Sequence, residues 1–100
     1  MPIQKELLIN KRGELWRNDD QSNYIMPSLI FYDSTVLGSS RGDTAFRFTY
    51  ELKGRYILLK DFKGRVEKSR ILHIGPNTFT VDKLWFLEGK QTYHREVFGP

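Results

Sequence analysis

From Thr44 to Leu52 the chain alternates without a break: Phe46, Phe48, Tyr50 and Leu52 on one side, Ala45, Arg47, Thr49 and Glu51 on the other. Successive side chains of a strand point to opposite faces, so this segment reads as a half-buried β-strand. The turn signals that follow constrain the fold further. Lys53-Gly54, Lys63-Gly64, Gly75-Pro76-Asn77 and Glu88-Gly89 recur at the roughly ten-residue spacing typical of all-β domains. Connections this short force each strand to pair antiparallel with the one before it.

The strands between those signals are Arg55 to Asp61, Val66 to Ile74, Thr78 to Leu87 and Lys90 to Phe98. Upstream, Gly13 to Arg17 predicts a first strand and Leu29 to Tyr32 a second. Thr35 to Leu37 continues in β after an Asp33-Ser34 turn. Asn18 to Asn23 and Gly38 to Asp43 are polar and predict loops. Ile3, Leu7 and Leu8 share one side of a short helical segment within Ile3 to Lys11, which could cap a barrel end. The expected architecture is therefore an all-β, antiparallel up-and-down meander of about eight strands, closed or partly open as a barrel. In Thr78 to Leu87 the apolar phase shifts between Phe79/Val81 and Leu84/Phe86, which predicts a bulge near Asp82-Lys83.

Composition narrows the function classes. The 100 residues suit one domain spanning 1–100, and no repeat or low-complexity tract divides them. An aromatic share of 14% lets few positions bury much area. There is no cysteine, so disulfides, thiolate nucleophiles and Cys-ligated zinc are excluded. The N-terminus has no apolar signal-peptide core, and no apolar run reaches the roughly 18 residues of a membrane helix. The compartment stays open: cytoplasmic, or exported if a leader has been removed.

The order of segments resembles the small lipocalin-like domains of the calycin group of β-barrels. The residues that carry the resemblance are Trp16, Leu29 to Val36, Phe48 to Gly54, Ile57 to Asp61, Arg70 to Ile74 and Tyr93-His94-Arg95. Gly13 stands three residues before Trp16, where the family places a glycine two before. The resemblance implies a barrel with an apolar interior site for a small ligand. It also implies a structural pair, with Arg95 of the last strand closing one barrel end over Trp16. A guanidinium stacks well on an indole face, so the pairing is physically sound.

Two binding surfaces come from the residues. Phe46, Phe48 and Tyr50 share a face, and Tyr56 and Leu58 could line up opposite them across the Lys53-Gly54 turn. Together they form either the wall of a cavity for an apolar or amphipathic molecule or a packed core, which a barrel of this size can be. Between Lys53 and Arg70 lie seven basic residues against Asp61 and Glu67. Lys68 and Arg70 share a strand face and could form a stripe with Lys60. Such a stripe suits a protein or single-stranded nucleic-acid partner, although acids elsewhere dilute the net charge of +4. A solvated outer wall is the simpler account.

Other candidates are weaker. Arg41-Gly42-Asp43 spells an adhesion tripeptide, but it also suits any loop. His73 and His94, the only histidines, have no metal-ligand spacing, and Asp61 and Glu96 are their possible acid–base partners without being singled out. Neither a phosphate loop nor a nucleophile elbow is present. The sequence predicts a non-enzymatic binding module with no cofactor and no metal. A small apolar ligand leads as partner, nucleic acid is less favoured, and the oligomeric state is open.

Overall fold

The computed structural model describes residues 5–19, 27–39, 45–84 and 89–97. Within them a short helix α1 (Lys5–Leu8) precedes eight strands: β1 (Glu14–Asn18), β2 (Ser28–Phe31), β3 (Thr35–Ser39), β4 (Ala45–Lys53), β5 (Tyr56–Lys60), β6 (Val66–Ile74), β7 (Thr78–Val81) and β8 (Gln91–Val97). Each strand pairs antiparallel with the next, and β8 returns to pair with β1, closing the barrel. This is the expected meander, and its topology is compatible with a lipocalin-like fold. Closure leaves no edge strand to template further pairing. No helix among the described residues is long and apolar enough to cross a membrane.

The alternation of β4 holds. Phe48 and Tyr50 are buried, Phe46 and Leu52 are partly buried, and Arg47, Thr49 and Glu51 are exposed. The inner faces of the other strands complete one core, with Trp16, Phe31, Ile57, Ile71, Phe79 and Tyr93 fully buried. Its aromatic rings meet edge to face and stacked: Trp16–Phe79 at 4.8 Å, Phe31–Tyr50 at 5.1 Å and Phe79–Tyr93 at 5.2 Å between centroids.

Three sequence expectations need correction. Gly38 does not open a loop. It lies within β3, paired with Leu29 on one side and Phe46 on the other, because both neighbouring strands extend far enough to satisfy its backbone. The bulge is on β6 rather than at Asp82-Lys83: the register with β7 slips between Ile71 and His73. The phase change has a different origin. β7 ends at Val81, and Asp82 turns the chain while its carboxylate accepts the Arg70 amide at 2.9 Å. The helix is shorter than the Ile3 to Lys11 reading, and Ile3 lies outside the described residues. Asn10 ends that segment by bonding Phe31 in both directions, N–H to O at 3.0 Å and side-chain Oδ1 from N–H at 2.8 Å. This ties α1 to β2.

The two barrel ends differ. The Asp33-Ser34, Gly54-Arg55 and Gly75-to-Asn77 turns lie at the end that α1 covers. The Asp61-to-Arg65 turn lies at the other. Gly64 sits at φ +86°, where an L side chain is strained, and open space surrounds the position of a Cβ. Gly75 has no positive φ, and a Cβ there would meet its neighbours at 3.7 and 4.0 Å, ordinary contact. Gly64→Ala should therefore cost about 1 kcal/mol from backbone strain alone, whereas Gly75→Ala should stay within about 0.5 kcal/mol of wild type. Paired urea titrations check this, and equal midpoints for the two variants would refute it.

Candidate functional site

At the covered end, Trp16 and Arg95 are register partners across β1 and β8. The guanidinium carbon of Arg95 lies 4.3 Å from the Trp16 ring centroid. The indole N–H of Trp16 donates to the Leu8 carbonyl at 2.9 Å, fixing α1 across the barrel floor. Arg95 is 14% exposed and gathers four acceptors: Pro76 O at 2.8 Å, Ile9 O at 3.2 Å, Leu7 O at 2.5 Å and the Glu14 carboxylate at 2.9 Å. Glu14 also accepts the Lys11 amide at 2.8 Å. That bond, with help from Arg95, outweighs the effect of burial and holds the carboxyl below the usual carboxylate range. Charge-assisted hydrogen bonds thus tie the two chain ends and α1 together at this end.

The structure separates the five residues expected to line an interior. Phe46, Phe48 and Tyr50 do face inward. The Tyr50 phenol donates to Tyr32 O at 2.5 Å, and burial followed by the nearby Asp33 charge pushes its pKa up to about 12. It is a structural hydroxyl, neutral at physiological pH. Tyr56 and Leu58 face outward, correcting the expectation. The Gly54-Arg55 loop sets Lys53 opposite Tyr56 and Leu52 opposite Ile57, so it is Ile57 and Leu59 that enter the core. Antiparallel partners share a face, and a one-residue difference in register reverses every side chain.

The inner row that holds Arg95 and Trp16 continues across β2, β3 and β4 as Leu29, Gly38 and Phe46. Gly38 brings no side chain to it, and Phe46 is only partly buried. Polar groups enter the interior as well. Asn18 is buried and donates to the Gln91 side chain at 2.9 Å. Ser69, opposite Ile57 on β6, is fully buried, and its hydroxyl has no hydrogen-bond partner among the described residues. Gly38 and Ser69 were not singled out from the sequence. The first sits among loop-forming residues, and the second is one serine in an otherwise charged stretch.

The outer face of β4, β5 and β6 brings the basic candidates together. Its cross-strand rows read Thr49–Lys60–Val66, Glu51–Leu58–Lys68 and Lys53–Tyr56–Arg70. Lys60, Lys68 and Arg70 are all exposed, and the Lys68 ammonium lies 4.1 Å from the Tyr56 ring centroid. An open groove of about 460 Å³ lies on this side, lined by Ser34, Thr49, Tyr50, Glu51, Leu58, Lys60 and Val66. Beside it the Asp61-to-Arg65 turn holds Phe62 at 91% exposure. Phe62 was also missed, although an aromatic between Asp61 and Lys63-Gly64 is a legible anomaly in a turn.

The remaining candidates do not assemble. His73 and His94 lie on β6 and β8 with β7 between them. His94 Nδ1 is 2.5 Å from the Asp19 carboxylate, Glu96 is bonded to Arg17 at 2.8 Å, and Asp61 serves its own turn. Among the described residues no group of three or more His, Cys, Asp or Glu could hold a metal. Arg41-Gly42-Asp43 lies outside the described residues. No protein-family model, curated protein or solved structure matches the chain.

Proposed function

We propose that the chain is a non-enzymatic binding module of lipocalin-like type, taking a small amphipathic molecule into its barrel from the end away from α1. The observation that carries this reading is a place without a side chain in the inner row that runs on from Arg95 and Trp16. Those two residues and α1 close one end, and Gly38, one residue from the end of β3, leaves the row between Leu29 and Phe46 bare. Binding sites of this kind are concave and mostly apolar, with a few placed polar groups. Phe46 and Leu29 supply the apolar wall. The unpartnered Ser69 hydroxyl and the Asn18–Gln91 pair supply polar contacts. A buried hydroxyl left unsatisfied costs about 1–3 kcal/mol, which a ligand's polar group would relieve.

An amide-shift NMR titration against a panel of fatty acids, fatty alcohols and apolar metabolites tests the reading. Shifts centred on Gly38, Phe46 and Ser69 are expected. Filling the row should block them, so Gly38→Val should abolish the response while the folded spectrum is kept. No response from the wild-type chain to any member of the panel would overturn the proposal.

A further inference from the structure

The acids expected to dilute the basic charge are mostly engaged elsewhere. Asp33 pairs with Lys5, Glu96 with Arg17, Asp61 with Arg65, Glu67 with Lys83 and Glu14 with Arg95. Each such pair is locally neutral. The outer face of β4, β5 and β6 is different. Arg47, Lys53, Lys60, Lys68 and Arg70 are all exposed there, and none forms an ion pair among the described residues. Glu51 is the acid within the face, and Asp82 lies at its edge, bonded to the Arg70 amide. Among the described residues this sheet surface thus carries five cations outside any ion pair against Glu51.

The turn at the end of this face is built to hold a ring in solvent. The Asp61 carboxylate accepts the Lys63 amide at 2.9 Å, the Arg65 amide at 2.9 Å and the Arg65 side chain at 3.0 Å. These bonds outweigh the opposing effect of desolvation and hold its carboxyl below the usual range. Gly64 supplies the positive φ that closes the turn. Between these fixed points Phe62 projects at 91% exposure, with Val66 beside it at 59% and the Lys63 ammonium 5.7 Å from its ring centroid. A single exposed apolar residue is ordinary. Here the exposed ring is fixed at the end of a cationic face, beside an open groove.

We infer that this face binds single-stranded nucleic acid, with the backbone phosphates along the cations and a base stacked on Phe62. This inference is independent of the interior site. The arrangement of the charges selects the partner. The cations are not confined to the turn, where a flat anionic membrane would touch. They continue along β6 to Arg70, four residues beyond Val66, or about 13 Å at strand spacing. An extended polyanion lying on the face reaches all of them, and a bilayer touching the turn does not. The groove beside Lys60 gives a second base somewhere to sit. Glu51 lines that groove, and its carboxylate can accept from an exocyclic amino group such as cytosine N4.

Fluorescence anisotropy with labelled ten-nucleotide dT and dC strands tests this on the full chain. Binding should be present at low salt, with the logarithm of affinity falling by about 0.7 per phosphate contacted for each log unit of salt. Phe62→Ala should weaken binding about tenfold, and the double variant Lys60→Glu/Lys68→Glu should abolish it. Lys11→Glu, away from the face, should leave it near wild type. All four positions are exposed, and thermal melts confirm that each variant is folded. Absence of binding at low salt overturns the inference. So does salt-sensitive binding that Phe62→Ala and the double variant leave unchanged, and so does binding to phosphatidylserine vesicles without binding to either strand.

Discussion

Trp16→Ala should lower the unfolding free energy by about 3–5 kcal/mol, the range for truncating a fully buried Trp. Trp16 is 0% exposed, packs edge-on to Phe79 at 4.8 Å, carries Arg95 on its other side and bonds Leu8 through its indole N–H. The substitution therefore opens a cavity, removes the surface under a guanidinium and frees the helix that covers the barrel floor. Small domains are stable by only about 5–15 kcal/mol, so this is a large part of the total. Urea unfolding followed by far-UV circular dichroism measures it, with an unchanged slope showing that stability rather than compactness has altered. A loss under about 1 kcal/mol would show that Trp16 is not the plug of the barrel.

The second large effect should come from Arg95→Met, which keeps the aliphatic stem over the indole but removes five donors. Leu7 O, Ile9 O and Pro76 O lose the Arg95 donors and Glu14 keeps only the Lys11 amide, at an expected cost of about 3 kcal/mol. The variant should also change the acid limb of the stability curve. The carboxyl of folded Glu14 lies below its ordinary value of 4.5, through the Lys11 amide first and Arg95 second. Above that ordinary value both folded and unfolded chains are ionised there, and the stabilisation is complete. As pH falls, the unfolded chain takes up the proton first, so stability declines until the folded pKa has been passed. Arg95→Met keeps the Lys11 contribution, so this decline should shrink without vanishing. Superimposable acid limbs for variant and wild type would rule out the coupling of Glu14 to Arg95.

Most of the barrel was legible because its signals are local. Strict alternation in β4 names the inner and outer faces, and glycine turns at short intervals leave antiparallel neighbours as the only pairing. The candidate sites were less legible. Phe46, Phe48 and Tyr50 were placed on the inner face by period alone. Tyr56 and Leu58 were placed beside them wrongly, because the pairing across Gly54 depends on the number of residues in the loop. Lys60, Lys68 and Arg70 were grouped correctly, since their strands are adjacent and their spacing is even. That the nearby acids Glu67 and Glu96 are paired with Lys83 and Arg17 could not be read, because these pairs join residues far apart in the chain and no sequence spacing announces them.

By itself, then, the sequence determined the fold class, the number and direction of the strands and the absence of thiol chemistry. Each follows from periodicity, turn chemistry or composition, which act within a few residues. The closure of β8 onto β1, the register that turns Ile57 inward and Tyr56 outward, the place of Gly38 in the inner row and the meeting of five cations on one wall were decided by the tertiary structure. These depend on which distant groups meet, and packing and Coulomb interactions are set by separation in space, not along the chain.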